Sequence, residues 1–436
     1  MNNIRKIDMQ QRTQRDETFL RIIAGVREIA RTKWKVLFMV LYGFAMWGLW
    51  SVRYTLLPVD DSIPFWSFYQ LAMDLLVLLF AFIGAMYILQ LIATPFTAKT
   101  IQENLQRIGF VNSAGESPFL LAMYKDKKEN AVVMRFENRG IHIAEWDKQH
   151  ASLEAALNCY IVRMEYEKNL RYTLLYTVPA KRKLPPTLYW NDKLLSKENF
   201  VLVLGKGLTG DVTVNLVKTP HILLGGSTGS GKSILLKSLL MQCVKKGAVV
   251  YIADFKGGVD FPPVWHDKCK LVFSETALLD VLTNLVQILE ERKEMFRESG
   301  CANIDEYNKM THSDLQRIVF ACDEVAELLD KTGLSKADKE LILQIEGLLS
   351  ILARQGRAFG MHIVLATQRP DANVLSGQIK NNLDCRICGK ADSVLSQIIL
   401  DSTEAAEKIP KDVPGKFITN SGVLFQGYLF DERKVF

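Results

Sequence analysis

Cysteine offers this chain no framework. The seven cysteines are an odd number with no recurring spacing, which excludes the paired scaffold of a small disulfide-built domain. The one close pair, Cys385-x-x-Cys388, has no second pair or nearby histidines, so a four-ligand zinc site is not indicated. Flanked by Leu383, Ile387 and Gly389, the pair reads as strand residues packed in a core. Reduced thiols suit a cytosolic body. A strong charge of one sign is also lacking. The formal net charge of +6 is mild and does not by itself point to nucleic acid. No internal repeat appears, so each domain occurs once. At 436 residues the chain exceeds one ordinary core, and two or three domains are expected.

What is present begins with residues 1–35, which are polar and basic. Phe19, Ile22, Ile23, Val26 and Ile29 recur at helical spacing within them, which predicts an amphipathic helix. Its basic face suits either anionic lipid or a partner helix. Two apolar runs follow, 36–52 without a charge and 71–92 with the single Asp74. Trp34, Trp47 and Trp50 supply interfacial aromatics. Their lengths predict a transmembrane hairpin over 36–95. Lysine and arginine concentrate before Val36 and from Lys99 onward, so both termini are expected in the cytoplasm. Asp74 then falls near the outer mouth of the second helix, within reach of headgroup water.

After Pro95 the composition becomes soluble. Over 100–200, alternating runs at 131–136 and 172–177 and a helical stretch at 152–157 predict a small α/β linking domain. Nothing in it suggests chemistry. From 201 to 436, short apolar runs alternate with long helical patterns, the sign of a mostly parallel sheet with helices on both faces. Expected strands are 201–204, 222–224, 249–253, 271–273, 318–322, 362–366 and 386–389, with a terminal pair at 416–419 and 423–430. Long helices are expected over 277–298 and 339–359.

One stretch organises this last domain. Gly226-Ser227-Thr228-Gly229-Ser230-Gly231-Lys232-Ser233 reads G-x-x-x-x-G-K-S between an apolar strand and a helix. The glycines let backbone N–H groups turn toward phosphate oxygens, and the helix adds its positive end. Lys232 can bridge the β- and γ-phosphates of ATP, and Ser233 can ligate Mg²⁺.

About 90 residues later, Arg317-Ile-Val-Phe-Ala-Cys-Asp323-Glu324 is an apolar strand ending in two acids. Asp323 is expected to complete the Mg²⁺ shell, and Glu324 to polarise the attacking water. The strand ending at Ala366 runs into Thr367-Gln368-Arg369-Pro370, where the neutral Gln368 amide can sense the γ-phosphate or orient water. Arg354, Arg357, Arg369 and Arg386 lie on this half of the domain. One of them, with Arg386 and Arg357 as the candidates, could serve a neighbouring subunit as an arginine finger. His221 and His362 read as packing residues.

Taken together these residues resemble the FtsK/SpoIIIE family of DNA-pumping ATPases. The resemblance runs over about 204–417 and includes Gly205-Lys-Gly-Leu-Thr-Gly210, Lys218-Thr-Pro-His221 and Asp254-Phe-Lys-Gly-Gly-Val-Asp-Phe261. It continues through Asp323-Glu324-Val-Ala-Glu-Leu and the long stretch from Leu352 to Pro370. It implies a RecA-like motor domain, a homohexamer, DNA as partner, and a trans-acting arginine at Arg386. The Asp-Phe-Lys-Gly-Gly form is similar to the small, membrane-bound, TcpA-like coupling proteins of Gram-positive conjugative elements. Chromosome-segregation members carry a C-terminal winged helix, for which Phe436 leaves no room.

The resulting expectation is a bacterial cell-membrane ATPase that moves DNA during conjugation, with relaxase and secretion-channel proteins as partners. In the implied ring, loops after Lys256 and Pro370 would face the channel, with Lys256, Lys380 and Lys390 as candidate phosphate grips. The alternatives are a chromosome-segregation translocase and a motor for protein secretion. The single P-loop argues against the secretion motor. A non-enzymatic membrane scaffold fits poorly with Lys232, Ser233, Asp323 and Glu324 all present.

Overall fold

A computed structural model describes residues 2–55, 66–95, 97–368 and 377–436, with side chains from residue 16 onward. Arg369, Pro370 and the loop after them therefore lie outside the described residues, as do Asp60 and Asp61. The chain divides into two compact units, Met1–Arg182 and Lys183–Phe436.

The first unit opens with a helix over Asn2–Arg31, which packs on the later helix Trp66–Ala93. Gly25 permits the approach, since a Cβ there would sit 2.3 Å from the Leu89 carbonyl oxygen. The face of the helix that meets its partner carries Ala24 and Gly25, while Arg27 and Arg31 stay exposed. Val36–Val52 buries none of its residues, and Trp66–Ala93 buries only Val77 and Ala93. Helices this apolar and this exposed suit a hydrocarbon surround. The second extends beyond the expected 71–92 at its start, where Trp66, Phe68 and Tyr69 continue the turn.

Tyr42 ties the hairpin together. Its hydroxyl is shared between the Phe80 and Ala81 carbonyls, at 3.1 and 3.0 Å. Asp74 does not rely on headgroup water, because it accepts from Arg53 Nε at 2.6 Å and from the Tyr54 hydroxyl at 2.9 Å.

Beyond the helix Ala98–Arg107 come four antiparallel strands: β1 (Phe119–Asp126), β2 (Ala131–Glu137), β3 (Cys159–Tyr166) and β4 (Tyr172–Pro179), in the order β1-β2-β4-β3. Helices Ile143–Lys148 and His150–Leu157 connect β2 to β3. The core centres on fully buried Trp146, whose ring meets Phe110 at 4.8 Å and Phe136 at 5.3 Å.

The second unit is built on one mixed sheet. Its strands are β5 (Leu188–Tyr189), β6 (Val201–Gly207), β7 (Asp211–Asn215), β8 (His221–Gly225), β9 (Val249–Ala253), β10 (Lys270–Val272) and β11 (Ile318–Cys322). They continue with β12 (Met361–Thr367), β13 (Cys385–Cys388), β14 (Lys416–Thr419) and β15 (Leu424–Leu429). The order is β10-β9-β11-β12-β8-β13-β14-β15-β6-β7, with β5 beside β15. From β10 to β13 the pairing is parallel, and from β13 to β7 antiparallel. The parallel half matches the alternating pattern of the sequence, and in the antiparallel wing β6, β14 and β15 fall on expected runs; β7 and β5 are additions to that pattern. Gly205 admits β6 beside β15, where a Cβ would come within 2.2 Å of the Gln426 carbonyl.

Side chains of the parallel strands alternate between two cores, as a period of two requires. Tyr251, Phe320, Ile363 and Leu365 face the helices Glu275–Ser299 and Lys336–Gln355. Val250, Ile252, Val319, Ala321 and Val364 face the helix Lys232–Lys245. Cys385 and Cys388 are buried in β13, where burial pushes both thiols up to about 12. They are inert core residues.

Candidate nucleotide site

Three adjacent parallel strands, β8, β12 and β11, end on the same edge of the sheet. That edge is where ligands of open α/β sheets bind. Strand β8 feeds the loop 226–231, β12 feeds Gln368, and β11 feeds Asp323 and Glu324. Neighbouring strands lie about 4.8 Å apart, so residues distant in sequence meet there.

The loop is shaped by glycine. Gly229 and Gly231 have φ of +76° and +93°, a region side chains rarely adopt. Gly231 also lies against Gly415, whose Cα and N would be 3.1 Å from an added Cβ. Gly231 precedes the helix Lys232–Lys245 and offers no side-chain cap, leaving its first-turn N–H groups to a ligand. Ser230 Oγ is buried and has no hydrogen-bond partner among the described residues. The Ser227 amide donates to the Lys390 carbonyl at 2.8 Å, which anchors the loop to the segment after β13.

The acids converge on that loop. Lys232 and Asp323 are 3% and 2% exposed, so their pairing decides whether the charges are tolerated at all. Lys232 Nζ donates to Asp323 Oδ1 at 3.0 Å and to its carbonyl at 2.6 Å. Ser233 Oγ lies 3.3 Å from Asp323 Oδ1. Glu324 sits 3.9 Å from Lys232 through Oε2. It accepts from Thr367 Oγ1 at 2.7 Å and from the Gln368 amide at 3.0 and 3.1 Å. The Gln368 side chain accepts from Thr228 Oγ1 at 2.9 Å, joining the β12 tip to the loop.

Lys256 completes the cluster. Its ammonium donates to Asp323 Oδ2 at 3.2 Å and to Asp260 Oδ2 at 3.1 Å. Burial works against the charge on Lys256, and the hydrogen bond to Asp260 and the charge of Asp323 outweigh it, holding Lys256 above its usual range. At Asp323 burial opposes ionisation. Lys232, ahead of Lys256, overcomes that and keeps the carboxyl below its usual value.

The described arginines, Arg354, Arg357 and Arg386, stand apart. Arg386, on β13, donates to the Leu383 and Lys380 carbonyls at 3.1 and 3.3 Å and pairs with Asp401. These contacts commit its guanidinium to its own chain. Arg357 is exposed, with one long contact of 3.4 Å to the Val217 carbonyl. Arg354 donates to the Ser350 carbonyl of its own helix at 3.3 Å. Of the lysines assigned to a channel, Lys256 turns instead to Asp323, and Lys380 pairs with Asp401 at 2.8 Å.

His221 and His362 are buried beneath the site. Burial lowers them to about 4 and about 3. His221 Nδ1 accepts from the Ile363 amide at 3.0 Å.

Thr367 and Lys256 are the members that sequence reasoning passed over at the acids. Thr367 carried a signal, as the last β12 residue before Gln368. The Lys256 contact had none, because it depends on how the loop after β9 folds back.

The cluster fits a nucleoside triphosphate with Mg²⁺. A glycine-shaped amide cradle, an orphaned buried hydroxyl and a buried ammonium suit phosphate oxygens. A hydroxyl beside one carboxylate suits a hard cation that keeps water and phosphate ligands. Together, sheet and site define a P-loop ATPase.

Residues 190–372 match the FtsK/SpoIIIE family. The chain is similar to the conjugation coupling protein TcpA of pCW3, solved as a monomer form with ATPγS. The two are 35% identical with a TM-score of 0.58, over 78% of this chain and 97% of that one. It is also 28% identical over 338 residues to a DNA translocase FtsK of Caldanaerobacter subterraneus subsp. tengcongensis, and 32% over 233 residues to one of Clostridium acetobutylicum. Those alignments cover 72% and 49% of this chain but 44% and 28% of the relatives. The chain thus spans less than half the length of these curated relatives. It belongs to the FtsK/SpoIIIE family.

Proposed function

We propose that this protein is a membrane-anchored, ATP-driven DNA translocase that acts as a coupling protein in conjugative DNA transfer. The observation that carries the reading is similarity to a conjugation coupling protein at 35% identity across 97% of that chain, joined to a complete hydrolytic cluster. In this reading the amides of 226–231, Lys232 and Ser233 bind ATP. When bound, Mg²⁺ would be held by Ser233 and Asp323 and would neutralise charge developing on the phosphates. Glu324, oriented by Thr367 and the Gln368 amide, polarises the attacking water. Gln368 also touches Thr228 and so registers the occupied loop.

A homohexameric ring around DNA supplies the neighbour that an arginine finger needs. Arg357 is the freer candidate, while Arg386 would first have to leave Asp401. The helices Val36–Val52 and Trp66–Ala93 anchor the motor in a bacterial cell membrane, with both termini and the ATPase in the cytoplasm. In that frame 1–35 is a basic cytoplasmic segment, 36–95 the anchor, 100–200 the link and 201–436 the motor. Relaxase and secretion-channel proteins are the expected partners. The DNA translocase FtsK relatives favour a second reading, chromosome segregation.

Movement is tested by adding the full chain with ATP to duplex DNA carrying a triplex strand, and to single-stranded DNA blocked with streptavidin. Displacement from either, abolished by Lys232→Ala, supports the motor. ATP turnover without displacement from both rejects it.

A further inference from the structure

The segment after β9 has an ordered shape that its composition does not demand. Asp254, 2% exposed, accepts from the Lys256 amide at 2.9 Å and from the Gly258 amide at 3.1 Å. Gly257 and Gly258 then turn with φ of +74° and +82°. This fold-back leaves Val259 83% exposed at the tip. At the same time it sets the Lys256 ammonium, on a side chain that stays 38% exposed, between Asp260 of its own loop and Asp323 at the end of β11. One lysine therefore bridges a surface loop and the acid that Lys232 also holds.

We infer that Lys256 is a positioning residue that links the loop 255–261 to the Asp323 carboxylate, so that DNA contact at the loop alters the setting of the hydrolytic acid. Two lysines share the two oxygens of Asp323, Lys232 on Oδ1 and Lys256 on Oδ2. When Lys232 turns to phosphate, Lys256 is the remaining protein cation on that carboxylate. The contact is 3.2 Å, so a loop shift of about 1 Å breaks it. A loop that moves on contact with the transported strand then changes what holds Asp323 Oδ2. The inference rests on the proposed DNA-motor reading.

The test uses the full chain and Lys256→Gln, with Lys256→Arg as the conservative variant. The first readout is the ratio of DNA-stimulated to DNA-free ATP turnover. The second needs no turnover: hydrogen exchange of peptide 254–261 with and without ATPγS. The wild type should show stimulation, and ATPγS should change exchange in the loop. With ATPγS saturating for each variant, Lys256→Gln should bring the stimulation ratio to about 1 and remove the nucleotide effect on the loop. Lys256→Arg should recover part of both. Wild-type stimulation with an undiminished ratio in Lys256→Gln overturns the inference alone. A wild type that no DNA stimulates overturns the DNA-motor reading, and this inference with it.

Discussion

Replacing Glu324 by glutamine should separate binding from hydrolysis, because the structure fixes what the change removes. Glutamine has nearly the same shape, and its one carbonyl oxygen can still accept from Thr367 Oγ1 and the Gln368 amide, at 2.7 and about 3 Å in the parent. The long 3.9 Å approach to Lys232 is lost, but Lys232 keeps Asp323 at 3.0 Å. ATP affinity should therefore change by no more than about threefold, the size of a weak, partly replaced interaction. The catalytic loss is larger. Removing a general base typically costs about 10²–10⁴ in rate, which is about 2.7–5.4 kcal/mol in barrier at 1.36 kcal/mol per decade. Filter binding of radiolabelled ATP, followed by single-turnover hydrolysis, measures both quantities in one preparation. Turnover within about threefold of the parent would refute the role assigned to Glu324.

Other consequences follow from the same contacts. Lys232→Ala should abolish nucleotide binding and hydrolysis while leaving membrane insertion intact; hydrolysis at the parent rate in flotation-positive protein would contradict the P-loop assignment. Gly231→Ala should weaken ATP binding and lower the melting temperature. Its φ of +93° and a 3.1 Å approach to Gly415 predict a cost of about 1–3 kcal/mol, and an unchanged melting curve would show that the loop relaxes freely. Asp323 gives a pH prediction with a fixed sign. Its folded pKa is depressed, so its charge stabilises above the unfolded value of about 4 and that contribution is lost as pH falls through the lower folded value. The stability advantage of wild type over Asp323→Asn should thus be full at pH 6–7 and shrink progressively below about pH 4; an advantage independent of pH would rule out the charged pairing.

Much of the motor was legible because its strands are short apolar runs closed by chemistry. Strands β9 and β11 begin and end where the apolar runs do, since both are buried on two faces and tolerate no polar residue. The long helices shifted at their ends for local reasons. Ser335 caps the second by accepting from the Asp338 amide at 3.2 Å, which starts it before Lys339. Gly356 and Gly360 turn the chain before β12 begins. Two strands beside that core were harder to read. Strand β7 spans only Asp211–Asn215 and β5 only two residues, too short to carry a periodic signal.

At the site, the loop and the two acids each declare themselves in sequence. What cannot be read there is the pairing of Lys256 with Asp323, which lie 67 residues apart. The hold of Arg386 on Asp401 is equally hidden, because it depends on where the helix Ser393–Leu400 ends.

In the proposed motor this hydrolytic cluster answers to DNA. The direct measurement is ATP turnover by the full chain, reconstituted in lipid nanodiscs, with single-stranded DNA, duplex DNA or none, at low and raised salt. At least one DNA should raise turnover severalfold, salt should reduce the effect because it rests on phosphate neutralisation, and Lys232→Ala should be inactive throughout. Turnover unchanged by either DNA, with neither DNA bound, would contradict the proposed motor.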